Sequence, residues 1–251
     1  MTELPTPPAI EIRGLRAGYD GAPVLHGVTL TVQPGETLGI VGLTGAGKTT
    51  LLKSILRLVM PAAGSVRLYD EPHEAPGSRA RLAYLPERFQ PPGHLTGEDF
   101  VRLSLAFHRL PPDPAATATL AEALDLDPLA LARPIRGYAK GLAQKLGLLA
   151  TLLTDRPLLL LDEPMSGLEP KARLRLKRQL AEERGRGRTI LMSSPIAADH
   201  DGLCDRIAVL HQGVLGYVGP PAELRQRRRA ATLESAFLAE IEARAPARSA
   251  R

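Results

Sequence analysis

The sequence predicts an α/β fold built on a mostly parallel core sheet, with an N-terminal antiparallel β subdomain and an inserted α-helical subdomain. Three observations lead there. Thr37-Leu38-Gly39-Ile40-Val41 is a continuous apolar run, the pattern of a strand buried on both faces. A glycine-rich loop and a helical repeat follow it directly. Leu158 to Leu161 is a second such run, closed by Asp162-Glu163-Pro164. Between about Thr96 and Asp155 the apolar period becomes that of helices, so helices interrupt a series of strands.

Taken in order, Ala9 to Arg13 reads as a short strand, followed by a Gly-rich turn and a second strand over Gly27–Val32. The alternation Val28 to Val32 has period two, as in a half-buried antiparallel strand. After the glycine loop, Leu51, Leu52, Ile55 and Leu56 recur at helical spacing, which predicts a helix over Thr49–Leu58 ended by Pro61 and Gly64. Three helices are then expected: one through Phe100 to Leu110, one over Ala115–Leu126 and one over Leu142–Leu153. Strands return at Leu158–Leu161, Thr189–Met192, Ile207–Leu210 and Val214–Val218. Pro221 to about Ala243 reads as a helical tail with a polar, frayed end. No internal repeat is visible.

Composition limits the function classes. Hydrophobic residues at 44% and charged residues at 24% are ordinary for a soluble globular chain. No run approaches the roughly 18 to 20 apolar residues a membrane span needs. The start, Met1 to Pro8, is acidic and proline-rich, unlike a signal peptide, so the chain is expected to stay in the cytoplasm. The one cysteine, Cys204, cannot form an internal disulfide, and no Cys/His cluster has metal-ligand spacing. The net charge is +5, with its densest group at Arg225, Arg227, Arg228 and Arg229. A solvated helix face is the first reading of that group, and contact with a membrane surface the second. Nucleic acid comes last: aromatics are 4% and Trp is absent, which leaves little for base stacking.

The chemistry starts at Gly42-Leu43-Thr44-Gly45-Ala46-Gly47-Lys48-Thr49-Thr50. A triphosphate is a dense anion. Glycines let backbone N–H groups approach it closely and turn inward, and the following helix adds its N-terminal partial charge. Lys48 supplies a point charge for the β- and γ-phosphates, and the Thr49 hydroxyl can ligate magnesium. This is the loop of a P-loop NTPase, placed after an apolar strand and before a helix. Asp162 stands at the carboxyl end of a leucine strand, where open α/β sheets put ligands. It can hold the magnesium shell, while Glu163 can take a proton from an attacking water.

These residues resemble the ATP-binding cassette (ABC) ATPases over nearly the whole chain. Tyr19 sits where that family places an aromatic on adenine. Tyr84-Leu85-Pro86-Glu87 resembles its Q-loop, which makes Glu87 a magnesium ligand or water-orienting group. Tyr138-Ala139-Lys140-Gly141-Leu142, with Gln144-Lys145, resembles its signature motif. Ser166-Gly167-Leu168-Glu169 resembles the D-loop, and Thr189–Ser194 the strand leading to the H-loop. The resemblance implies a single ABC ATPase domain over 1–245, with the helical subdomain at approximately 90–155 and a disordered tail over 246–251. It also implies two ATPase subunits, as a homodimer or a heterodimer, that clamp ATP and Mg2+ between the Walker motifs of one and the signature of the other. Closure and reopening then drive integral membrane permease subunits from the cytoplasmic face of the membrane. The tail Thr232-Leu233-Glu234-Ser235-Ala236-Phe237-Leu238 is similar to the Leu-Glu-x-x-Phe-Leu tail of bacterial exporter ATPases. The Leu-Pro-Glu form of the Q-loop and Lys140 in the signature point the same way.

Three positions depart from the family pattern. Glu87 replaces a glutamine, and its carboxylate can serve the same role. Ala139 replaces the signature serine, whose hydroxyl would donate to the γ-phosphate of the ATP opposite, a bond worth about 1.5–3 kcal/mol. Pro195 replaces the switch histidine and has neither imidazole nor N–H. His200, five positions on, is expected at the surface. Two readings follow: a transport-coupled ATPase, or a slowly hydrolysing regulatory subunit that pairs with a different ATPase subunit. An ABC protein acting on ribosomes or DNA fits less well, because the chain has one cassette and no sustained heptads. The chain contains no asparagine, so the Asn-Lys-x-Asp guanine motif of GTPases cannot occur. A small-molecule kinase would leave the signature and D-loop unexplained.

Overall fold

The computed structural model describes residues 6–75 and 77–244; the tail expected over 246–251 lies outside the described residues. These fall into two compact units. One takes the residues up to Ala80 and from Thr189 onward, the other Arg81–Arg188.

In the first unit, β1 (Ile10–Tyr19) and β2 (Ala22–Val32) form an antiparallel hairpin. Asp20 and Gly21 make its two-residue turn at φ 49° and 80°, the positive values that match a hairpin's twist. Both strands are longer than the sequence predicts. Gly14, Gly18 and Gly27 lie inside them, and the pairing shifts register between Ile12 and Leu15 and again between Ala17 and Gly18. Bulges of this kind break the alternation that marks a strand in sequence. Ile10, Ile12, Leu25, Leu30 and Val32 face inward and are buried.

Next come β3 (Thr37–Val41), buried throughout, and α1 (Lys48–Ile55). The helix stops three residues before the predicted end, and no glycine marks the stop. Arg57 adopts φ 59°; the Leu58 N–H donates to Lys53 O at 2.8 Å and the Arg57 N–H to Ser54 O at 3.1 Å. That is a Schellman closure with arginine in the left-handed position. Pro61 and Gly64 are therefore not the helix stop; they belong to β4 (Pro61–Leu68), which pairs antiparallel with β1 and with the short β5 (Glu71–Pro72).

A second sheet of this unit runs in the order β10 (Val214–Gly219), β9 (Arg206–His211), β3 and β8 (Thr189–Ser194). β8 and β9 are parallel to β3, whereas β10 returns antiparallel to β9. The tail is two helices, α7 (Pro221–Arg228) and α8 (Leu233–Glu242), where the sequence reads as one. Arg229 at φ 51° ends the first, and the Thr232 hydroxyl, accepting from Ser235 N–H, starts the second.

The second unit pairs β6 (Leu82–Leu85) with β7 (Leu158–Asp162) in parallel. Its helices are α2 (Gly97–Phe107), α3 (Pro114–Ala123), α4 (Pro128–Leu131), α5 (Lys140–Leu152) and α6 (Pro170–Gly185). Thr96 and Asp99 form a capping box on α2, and Asp113 caps α3 ahead of Pro114. α6 has no counterpart in the sequence reading. Ala172, Leu176 and Leu180 make a narrow buried stripe on an otherwise charged helix, too thin to stand out as a period. Among the described residues no helix is long and apolar enough to cross a membrane.

His200 corrects the sequence reading: it is fully buried, not at the surface. Its Nδ1 lies 3.5 Å from the Sγ of buried Cys204, and both pack against β3 at Gly39. A Cβ on Gly39 would sit 2.2 Å from His200 Nδ1 and 2.9 Å from Cys204 Sγ. Gly39→Ala is therefore expected to cost about 1–3 kcal/mol through overpacking. Thermal unfolding should show this as a drop in Tm of about 3–10 °C, and His200→Ala in the same chain should relieve most of it.

Candidate functional site

The glycine loop bridges β3 and α1 in the first unit. Leu43, Thr44 and Gly45 form its exposed tip, whereas Gly42, Ala46, Gly47 and Lys48 are buried. Gly47 stands at φ 106°, a conformation that side chains disfavour. At Gly42 a Cβ would lie 2.5 Å from Leu210 O, so the loop fits against β9 only without a side chain there. The turn between β9 and β10 supports it from the same side, Gly213 N–H donating to Ala46 O at 3.0 Å. Lys48 is 5% exposed, and its Nζ donates to Gly42 O at 2.9 Å and Leu43 O at 3.4 Å. The ammonium is thus folded back over the loop. Thr49 and Thr50 follow in the first turn of α1. Tyr19, at the end of β1, is 45% exposed and presents its ring to the outside.

The second unit holds the carboxylates. Asp162 closes β7 and is fully buried. Glu163 follows at φ 50°, a left-handed conformation costing about 1 kcal/mol for a residue with a side chain. Such strain persists where surrounding contacts enforce it, and it gathers at functional sites. Here the enforcement is visible: Ser166 N–H donates to Glu163 O at 3.0 Å, and buried Gln144 donates through Nε2 to Pro164 O at 3.1 Å. Gln144 belongs to α5, so the helix that carries the signature residues also holds the Asp-Glu-Pro turn. The sequence reading quoted Gln144 but gave it no task. Glu87, two residues beyond β6, is half-buried.

The signature residues cluster at the start of α5. Ala139 is its N-cap, exposed and without a side-chain hydrogen bond, so the missing hydroxyl is also a missing cap. Lys140 donates to the Ser166 hydroxyl at 3.0 Å. A Cβ on Gly141 would meet Gly167 O at 2.7 Å, so the helix start and the Ser166–Glu169 loop touch backbone to backbone. Tyr138 donates its hydroxyl to Ala130 O, and burial pushes its phenol above the usual tyrosine range. The second unit therefore brings Lys140 and Gly141 beside Ser166 and Gly167.

Pro195 directly follows β8. The polar groups around it were not legible in sequence: Ser194 Oγ donates to Asp199 Oδ2 at 2.6 Å and accepts from Ile196 N–H at 3.1 Å.

Comparison with known proteins identifies the family. The family model described as ABC transporter matches residues 25–166. The chain is 38% identical over 204 residues to an uncharacterised ABC transporter ATP-binding protein of Nostoc sp., an alignment covering 80% of this chain and 61% of that protein. The chain thus spans about three fifths of that relative's length. It is 34% identical over 232 residues to a fluoroquinolones export ATP-binding protein of Mycobacterium tuberculosis, covering 88% of this chain and 74% of that one. Among solved structures, one described as the ATP binding subunit of an ABC transporter superposes with a TM-score of 0.83 at 29% identity, covering 93% of this chain and 99% of that one. With a family model matching more than half of its length and a relative 34% identical over 88% of it, the chain belongs to the ABC transporter ATP-binding proteins.

Proposed function

We propose that this chain binds and hydrolyses ATP as the cytoplasmic subunit of a membrane exporter, dimerising around ATP and working on integral permease subunits. The observation that carries the reading is the loop Gly42–Thr50, with Gly42 and Gly47 buried and Lys48 folded over it between a buried strand and a helix. Residues 1–245 serve as one ABC ATPase domain in this reading, with the helical part at about 90–155 turned to the permease. Export is supported by the Leu-Glu-x-x-Phe-Leu tail and by the export function in the name of the M. tuberculosis relative.

Each role rests on the chemistry of a side chain. Tyr19 offers an exposed ring for adenine. Within Leu43–Thr50, the N–H groups other than that of Ala46, which donates to Leu43 O at 3.0 Å, and the Lys48 ammonium meet the phosphates. The first unit offers the Thr49 hydroxyl and the second the Asp162 and Glu87 carboxylates, each an oxygen donor of the kind magnesium prefers. Magnesium, when bound, neutralises charge on the β- and γ-phosphates. Glu163 takes the proton of the attacking water. Exposed Ala139 and Lys140, with Gly141, face the nucleotide of the second ATPase subunit.

A second reading, a slowly hydrolysing regulatory subunit paired with a different ATPase, is favoured by Ala139 and Pro195, which withdraw two γ-phosphate contacts. Phosphate release from the purified chain and from Pro195→His separates the two. The expected result is slow turnover that rises about tenfold or more in Pro195→His, one regained charge-assisted contact being worth about 1.5–3 kcal/mol. Fast turnover in the unaltered chain overturns the slow reading, and a chain that does not bind ATP overturns both.

A further inference from the structure

The tail segment Thr232–Phe237 is built into the first unit residue by residue, while Leu238 is exposed. Leu233 and Ala236 are buried and Phe237 is fully enclosed, which docks α8. Thr232 and Ser235 cap its start, and Glu240, buried further along, accepts from Arg228 and Arg244. Glu234 makes no contact of that kind. Its Oε2 accepts from Ala197 N–H at 2.9 Å and Ala198 N–H at 3.4 Å, 37 and 36 residues earlier in the chain. Those amides begin the 3₁₀ turn Ala197–Asp199 that follows Pro195.

The chain enters this turn from a strand that lies beside β3, the strand that leads into the phosphate loop. β8 pairs with β3 in register to its last residue, Ser194 opposite Val41, so Pro195 leaves the sheet next to Gly42. Its other backbone donors are already used: Ile196 N–H goes to Ser194 Oγ, Asp199 N–H to Ile196 O and His200 N–H to Ala197 O. His200 is locked below β3. The segment is thus held by Ser194, by buried His200 and by a carboxylate supplied from the docked tail helix.

We propose that Glu234 is a positioning residue for ATP turnover: from the tail helix it fixes the turn that follows Pro195, the residue that leaves the sheet next to Gly42. Where the family's histidine would report on the γ-phosphate through its imidazole, Pro195 offers only shape, and shape acts only if the turn is held still. The inference rests on the ATP reading above.

The full chain, Glu234→Ala and Glu234→Gln are compared for phosphate release, ATP binding, thermal unfolding and amide exchange over residues 195–200. Glu234→Ala should lower kcat about three- to tenfold, a modest share of what small misplacements near reacting groups can cost. Its KM for ATP should stay within about twofold, with exchange over 195–200 faster. Glu234→Gln keeps an acceptor oxygen and should recover most of the rate. Unchanged kcat in Glu234→Ala overturns the proposal, and so does a loss of rate that tracks a matching loss of ATP affinity and Tm. A full chain that neither binds nor turns over ATP removes the ATP reading instead, a result the unaltered chain shows by itself.

Discussion

Glu163→Gln is expected to lower ATP turnover by about 10²- to 10⁴-fold, the range general base catalysis contributes, while ATP binding stays within about threefold of the unaltered chain. Glutamine has the length and shape of glutamate and keeps an oxygen that can orient water, but it cannot take the proton. The turn should survive the exchange, because the contacts that hold Glu163 at φ 50° fall on main-chain carbonyls: Ser166 N–H on its own and Gln144 Nε2 on that of Pro164. Neither contact uses the Glu163 side chain. Single-turnover phosphate release and titration with a fluorescent ATP analogue separate the two effects. If hydrolysis is what reopens the ATP-bound dimer, as the family resemblance implies, the variant should also elute as a stable dimer in ATP and as a monomer without it. A variant within about tenfold of the unaltered rate would remove Glu163 from the role of base.

The same turn shows what sequence could and could not convey. Four leucines followed by Asp162-Glu163 made the buried strand and its carboxylates plain, because a strand covered on both faces leaves no polar position. The phosphate loop was equally legible, its glycines being required by close approach. The supporting contacts were not. Gln144 reaches Pro164 O from 20 residues away and Glu234 reaches Ala197 N–H from 37, and no local pattern encodes a pairing across such separations. Helix ends failed for a different reason. Arg57, Arg109, Asp125 and Arg229 take left-handed conformations at or just past helix ends, where the glycine rule looks for glycine. Hence α1 was read too long, and α7 and α8 were read as one helix. His200 was misplaced because spacing from Pro195 says nothing about the 3₁₀ turn that carries the ring inward.

Lys48→Ala is expected to have a comparable effect through binding. Lys48 is nearly buried within a loop whose tip, Leu43 to Gly45, is exposed, and its ammonium is the loop's one formal positive charge. Removing a charge-assisted contact to phosphate costs about 1.5–3 kcal/mol, so ATP affinity should fall about 10- to 100-fold. The loss in turnover should be larger, about 10²- to 10³-fold, because the same charge counters charge that builds on the phosphates in the transition state. The loop itself should persist: Gly213 N–H still supports Ala46 O, Gly42 still rests against Leu210 O, and the carbonyls of Gly42 and Leu43 turn to water at the exposed tip. Thermal unfolding with ATP and magnesium reads binding without turnover. At a ligand concentration 100 times the dissociation constant, the unaltered chain gains about 2.7 kcal/mol from bound nucleotide. In Lys48→Ala, at the same concentration, that gain should shrink below about 1.4 kcal/mol, since the ligand then stands at no more than about ten times the weakened constant. The melting temperature without nucleotide should move little. An undiminished ATP-induced shift in Lys48→Ala would mean that the loop's backbone alone carries the affinity, and would leave Lys48 with the transition state only.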